Sequence, residues 1–240
     1  MEISDVTKAA RKLLPLKTCG AVIVAAGNAS RMGGIDKVMA PLQGEPMIAR
    51  TVRTFQECDA VSEIVIVTRE DLILPITHLV WKMSKVKAVV CGGKSRQESV
   101  SLGLNALSDK VELAAIHDGA RPLVTWQVID RVIRAANTYG AAAPAIAVKD
   151  TIKVVEGRVV KATPDRSTLF AVQTPQVFDL DLLRGALKKA QLEQAQLTDD
   201  CSAVENMGMS VKIVEGDEGN LKVTTPMDLK IAEMLLEETK

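Results

Sequence analysis

Aromatic side chains are scarce in this 240-residue chain, which holds two Trp, one Tyr and three Phe. Grooves for single-stranded nucleic acid stack bases on aromatic rings, so the composition argues against that function. Net charge is also lacking. Thirty Lys and Arg balance thirty Asp and Glu, so no global field draws the chain to nucleic acid or to an anionic membrane. A local basic pocket is compatible with that balance. Cys19, Cys58, Cys91 and Cys201 stand far apart, without the paired spacing of a zinc site or a disulfide framework. Buried, reduced thiols are the expectation, which suits a cytoplasmic location. No apolar run is long enough to cross a bilayer. The first residues carry Glu2, Asp5, Arg11, Lys12 and Lys17 and lack the apolar stretch of a secretory leader.

Alternation is what the chain does have. Residues 21–26 form a short apolar run closed by Gly27, and 64–68, 86–91, 113–116 and 141–148 read as further buried strands. Between them lie helical stretches. Residues 46–57 place Pro46 in the first turn, and 72–83 are interrupted by Pro75. Ser95 and Glu98 read as a capping box opening a helix to about Leu107, and 125–139 are helical. Strands alternating with helices predict an α/β fold, a mostly parallel twisted sheet covered by helices on both faces. Ligands then bind beyond the carboxyl ends of the strands, where the Gly27, Gly92 and Asp118 regions should meet. Residues 150–163 break the pattern and read as a β-hairpin turning at Glu156-Gly157, with no helix beneath it. We expect one domain over 19–240, with 150–163 projecting as an arm and 1–18 as an N-terminal extension. Thr225, Pro226 and Asp228 cap a final helix.

Four loops can carry chemistry. The first runs from Ala25, Ala26 and Gly27 to Gly34 and brings Arg31 and Lys37 close behind a strand end. Its glycines fit neither the dinucleotide fingerprint, since Ala29 stands where a second glycine belongs, nor the P-loop. On the loop alone, a solvated surface loop is the slightly better explanation. The second carries Gly92 and Gly93, where backbone can approach a ligand, with Ser99 one turn into the following helix. The third ends a strand with His117, Asp118, Gly119, Ala120, Arg121 and Pro122. An Asp at a strand end suits a ribose or metal contact, although an Asx turn with an Arg partner would explain it as well. His117 has no Ser or Cys nucleophile with it and reads as a packed histidine. The fourth is a late cluster with Asp165, Arg166, Gln173, Thr174, Pro175, Gln176, Thr198, Asp199, Asp200 and the 220–225 stretch. Thr198 or Asp199 there is equally a helix N-cap, and Lys222 between Leu221 and Val223 reads as a solvent-facing strand residue.

In order and spacing these motifs resemble the 2-C-methyl-D-erythritol 4-phosphate cytidylyltransferase family of the non-mevalonate isoprenoid pathway. Lys149, Asp150 and Thr151 also fit it, and the match covers about 19–239. The resemblance implies a Rossmann-like nucleotidyltransferase fold, a Mg²⁺ requirement and a homodimer in which each subunit's arm closes the other's site. It implies CTP and a small sugar-alcohol phosphate as substrates. It places Ala25, Ala26, Gly27, Gly93 and Ser99 around the nucleotide, and Asp118 near the ribose, the metal and the acceptor. Arg31 falls to the triphosphate, and Lys37 and Lys222 to the α-phosphate. Gly119, Arg121, Thr174 and Thr198 would hold the acceptor, with Thr151 and Arg166 arriving from the other subunit. The metal would rest mainly on CTP phosphates, with no dedicated protein site. Three positions depart from the family pattern: Ala29 where Gly is common, Lys94 where some members are acidic, and Gly119 where others carry Ala.

Two alternatives remain open at this level. A ribitol-5-phosphate cytidylyltransferase shares the fold and most motifs, though His117–Ala120 and Thr198–Ser202 look more like the methylerythritol family. A non-catalytic nucleotide-binding module would not need cations on both sides of an α-phosphate, which Arg31, Lys37 and Lys222 suggest.

Overall fold

Residues 15–27 and 36–238 are described in the computed structural model. The expectations for Arg31, Ala29 and residues 1–14 lie outside them. β1 (Cys19–Ala25) is the centre of the fold. Its side chains alternate between two faces, as the pleat requires. Ala21, Ile23 and Ala25 enter one core, while Val22 enters a second. β1 pairs in parallel with β4 (Val61–Thr68) on one side and β6 (Leu113–Asp118) on the other. β5 (Val86–Cys91) extends the sheet beyond β4. The short strands β2 (Pro41–Leu42) and β3 (Glu45–Pro46) form a separate turn ahead of the first helix.

Helices cover both faces. α1 (Met47–Glu57), α2 (Ile73–Val80) and α4 (Trp126–Tyr139) bury Val52, Phe55, Ile76, Val80 and Val132 against one face. α3 (Arg96–Asn105), α5 (Leu180–Leu192) and α6 (Asp200–Glu205) bury Val100, Leu104, Leu183 and Val204 against the other. Burying each such aliphatic side chain stabilises the fold by roughly 1.5–3 kcal/mol. Pro75 does not interrupt α2. It is the third residue, in the first turn, where its missing N–H has no intrahelical partner anyway.

Beyond β6 the sheet changes direction. β11 (Gln176–Asp179) is antiparallel to both β6 and β7 (Ala141–Ala147). β10 (Phe170–Val172) is antiparallel to the far end of β7. β12 (Lys212–Glu215) runs parallel to β7 at residues that β10 and β11 also flank, so it occupies the opposite side. β10 and β11 are therefore one antiparallel strand broken over 173–175. The sheet is mixed but mostly parallel, as expected.

The expected hairpin is β8 (Val154–Glu156) with β9 (Val159–Ala162), a two-stranded sheet of its own with every strand residue exposed. Its turn lies one residue later than the sequence suggested. Gly157 and Arg158 are the central pair, both at positive φ (55° and 67°), as the twist of a two-residue hairpin turn requires. α7 (Pro226–Glu238) starts with Pro226 and is capped as expected, with Asp228 Oδ2 accepting the Thr224 and Thr225 N–H groups at 2.8 Å. Cys91 is exposed, contrary to the expectation of four buried thiols, because β5 is an edge strand; Cys19, Cys58 and Cys201 are buried. No helix among the described residues is long and apolar enough to cross a membrane.

Candidate active site

The parallel strands β6, β1, β4 and β5 end along one edge of the sheet, and a crevice of about 450 Å³ opens beyond their carboxyl ends. Its wall includes Ala25, Ala26, Gly27, Gly93 and Ser99, with Lys37, Arg96, Asp118 and Lys222. The regions predicted to meet therefore do so.

Each wall residue is placed by local chemistry. Gly92 must lack a side chain, since a Cβ there would lie 2.5 Å from Ala26 Cβ and 2.9 Å from Ser99 Oγ. Ser95 caps α3 by accepting the Glu98 N–H, but Glu98 does not complete the capping box; its carboxylate accepts the Lys94 N–H instead at 2.7 Å. Ser99 Oγ donates to Ser95 O at 2.8 Å and accepts the Gly93 N–H at 3.1 Å, which fixes the glycine turn. Lys37 opens a short 3-10 turn (Lys37–Met39) whose N-cap is Asp36. Asp36 in turn pairs with Arg69, just past the end of β4.

Asp118 is the electrostatic centre. Its Oδ2 lies 2.8 Å from Lys222 Nζ and its Oδ1 3.7 Å from Arg96. Burial opposes its ionisation, but Lys222 and Arg96 outweigh burial and hold the carboxyl below its ordinary pKa. Lys222 is not in a strand. It sits in the loop before α7, pinned where the Val223 N–H donates to Ala120 O (2.8 Å) and Arg121 Nη1 donates to Asn220 O (2.6 Å). Arg96 donates both terminal nitrogens to the buried Asp200, at 2.8 and 2.7 Å. Burial acts against the charge on Arg96, and Asp200 and Asp118 more than compensate, so the guanidinium is held more firmly protonated than usual. Sequence reading gave neither Arg96 nor Asp200 a role, because Arg96 looks like an ordinary first-turn residue behind a Ser cap.

His117 is fully buried, with its ring against Phe55. Thr174 Oγ accepts the Asp118 N–H at 3.1 Å and lies 3.0 Å from His117 Nδ1. His117 Nε2 faces Arg121 O at 3.2 Å, an oxygen that can only accept, so Nε2 carries a ring proton. Burial pushes the His117 pKa down to about 4, so near neutrality Nδ1 is unprotonated and accepts the Thr174 hydroxyl proton. The unfolded chain protonates this ring near pH 6.5, so between these values unfolding binds more protons and stability rises with pH. We expect a loss on the order of 3 kcal/mol as pH falls from about 6.5 towards 4. His117→Gln should lack this part of the dependence in denaturant titrations at several pH values. Equal slopes for both proteins would contradict the neutral buried ring.

The remaining predicted residues divide. Arg121 is nearly buried, 3.9 Å from Asp118 Oδ2, and its Nε has no hydrogen-bond partner. Gly119 packs under β1, where a Cβ would meet Ile48 at 3.0 Å and Ala25 at 3.1 Å. Thr198 is exposed and is not the helix cap; Asp199 caps α6 in a reciprocal pair with Ser202. Thr151 and Arg166 are exposed and do not line the crevice, and Arg166 instead donates to Lys149 O at 2.7 Å. No group of three acidic, His or Cys side chains suited to a metal occurs among the described residues. The crevice offers one ionised carboxylate, Asp118, which fits an ion carried chiefly by a ligand's phosphates.

The family model of 2-C-methyl-D-erythritol 4-phosphate cytidylyltransferase (IspD) matches residues 19–238. The chain belongs to this family. A 2-C-methyl-D-erythritol 4-phosphate cytidylyltransferase of Symbiobacterium thermophilum is 48% identical over 219 residues, 90% of this chain and 92% of that relative. One from Halalkalibacterium halodurans is 46% identical over 220 residues, covering 90% and 96%. The crystal structure of a 4-diphosphocytidyl-2C-methyl-D-erythritol synthase from Anaerococcus prevotii superposes with a TM-score of 0.84 at 30% identity, over 92% of this chain and 96% of that one. Of the motif residues read from the sequence, Ala25, Ala26, Gly27, Lys37, Gly93, Ser99, Asp118 and Lys222 line the crevice, whereas Gly119, Arg121, Thr174 and Thr198 are not part of its lining.

Proposed function

We propose that this chain transfers CMP from CTP to 2-C-methyl-D-erythritol 4-phosphate, giving 4-diphosphocytidyl-2-C-methyl-D-erythritol and pyrophosphate. The observation that carries the mechanism is the set of cations, Lys37, Arg96 and Lys222, lining one crevice around the Asp118 carboxylate. The attacking phosphomonoester is already largely dianionic near neutrality, so no general base is needed. The barrier lies in bringing two polyanions together and in the charge that builds at the α-phosphorus. Preset cations address both. Lys37 and Lys222 flank the α-phosphate, and Arg31 serves the triphosphate. Ala25, Ala26, Gly27, Gly93 and Ser99 enclose the cytosine side, largely through backbone groups that suit its amino donor and leave uracil's oxygen unmatched. Gly119, Arg121, Thr174 and Thr198 hold the acceptor, with Thr151 and Arg166 supplied by a second subunit of a homodimer.

A divalent ion, Mg²⁺ in this reading, would be held mainly by the nucleotide phosphates, with Asp118 as the carboxylate the crevice offers it. When bound, it neutralises phosphate charge and eases the departure of pyrophosphate. The working unit is a single domain over 19–240 with 150–163 as the dimer arm and 1–18 as an extension, acting in the cytoplasm.

Pyrophosphate release tests the assignment. CTP with 2-C-methyl-D-erythritol 4-phosphate should be turned over, and ribitol 5-phosphate should be a poor acceptor. UTP, ATP and GTP should have far lower specificity constants than CTP. Comparable use of UTP would remove the base-pocket assignment, and preference for ribitol phosphate would move the chain's substrate to the alternative acceptor.

A further inference from the structure

The break between β10 and β11 holds two buried amide side chains, Gln173 and Gln176, one on each side of Thr174 and Pro175. In an unbroken strand, residues three apart point to opposite faces. Neither lines the crevice, and the two bond to different segments behind it. Gln173 Oε1 accepts the Asp217 N–H at 3.2 Å and Asn220 Nδ2 at 3.3 Å, while its Nε2 donates to Asp217 O at 2.7 Å. Asn220 also donates to Thr174 O at 2.9 Å. Gln173 thus ties down the loop that ends in Lys222. Gln176 Oε1 accepts the Asp200 and Cys201 N–H groups at 3.0 and 3.1 Å, and its Nε2 donates to Asp199 Oδ2 at 2.8 Å. It thus holds the start of α6, whose Asp200 grips Arg96 with two hydrogen bonds.

We infer that Gln173 and Gln176 are positioning residues for the transfer reaction, Gln173 acting through Lys222 and Gln176 acting through Arg96. Each side chain both donates and accepts, which a carboxylate or a hydrocarbon of the same length cannot do. Gln176 satisfies the N–H groups of buried Asp200 and Cys201, and Gln173 bonds both backbone groups of half-buried Asp217. The inference rests on the roles given above to Lys222 at the α-phosphate and to Arg96 as one of the crevice cations.

A crossed set of double mutants tests it. Gln173→Met and Gln176→Met keep side-chain length and remove the amide. Each alone should lower kcat by roughly tenfold or more, since misplacing a charged group by about 1 Å is enough for that. Coupled residues are not additive, whereas independent ones are. The effect of Gln176→Met should therefore nearly vanish in an Arg96→Ala background and persist in Lys222→Ala. Gln173→Met should show the reverse pattern. If a methionine variant does not fold by circular dichroism, the glutamate variant at that position, which keeps the acceptor and loses the donor, replaces it in the same cycle. Equal losses in both backgrounds would mean a general structural effect and would overturn the inference, while leaving the crevice reading intact. Near-normal turnover of Arg96→Ala and Lys222→Ala themselves would overturn that reading, and this inference with it.

Discussion

Lys222→Ala should lower turnover by roughly a hundredfold or more, the effect of deleting one preorganised donor worth about 3 kcal/mol in the transition state. The side chain is partly exposed, so its loss removes little packing. It does take away the nearest countercharge of Asp118, leaving that carboxylate with Arg96 at 3.7 Å and Arg121 at 3.9 Å. Some destabilisation is therefore expected together with the kinetic loss, and thermal unfolding of the variant separates the two. Lys37→Ala should behave similarly, with less effect on Asp118. The loss should fall on kcat under saturating CTP and acceptor, because charge at the reacting phosphorus grows only in the transition state. A variant with near-normal kcat would remove that lysine from the mechanism.

Two inactive parents should restore activity when their subunits are mixed. Arg166 and Thr151 lie outside the crevice of their own chain, on the segments flanking the hairpin. The hairpin exposes Val154, Val155, Val159 and Val160. A two-stranded hairpin alone is marginal in water, so these valines need a surface to cover them, and a second copy would provide one. In a dimer with exchanged arms, Arg166→Ala and Lys222→Ala subunits together form one doubly damaged site and one intact site. Each mixed dimer should then show up to about half of normal activity if the sites are independent. Mass spectrometry of the mixture checks that subunits have exchanged. No recovery after confirmed exchange would place both residues in the same chain's site.

The parallel half of the fold was legible because its strands are continuous apolar runs and its turns carry glycine. Val22 and Ile23 enter different cores, yet both are hydrophobic, which is the signature of a strand covered on both faces. The short strands β10 and β12 were not legible. Both are edge pieces with mostly exposed residues, so no periodicity marks them. The crevice glycines and Asp118 were found because each stands at the carboxyl end of an apolar strand. Arg96 escaped because its importance comes from Asp200, 104 residues away, and no local pattern encodes that pair. Thr174 reads as an acceptor ligand from its motif, and no local pattern shows that its hydroxyl also sits between His117 Nδ1 and the Asp118 N–H. The details that differ, the bond made by the Glu98 carboxylate and the turn at Gly157, each shift by a single residue; of the two N-cap candidates, Thr198 and Asp199, Asp199 is the one used.

The placement of Lys222 in the last loop before α7 also sets a clock on synthesis. The base pocket and Asp118 belong to the first half of the chain, whereas Lys222 comes 104 residues after Asp118. At ~5–20 residues per second, Asp118 is polymerised roughly 5–20 s before its lysine partner. For that interval the nascent chain has the strands of a nucleotide crevice but lacks the nearest of the cations around its carboxylate. The parallel core can form early, but the reaction centre cannot exist until the chain is almost finished.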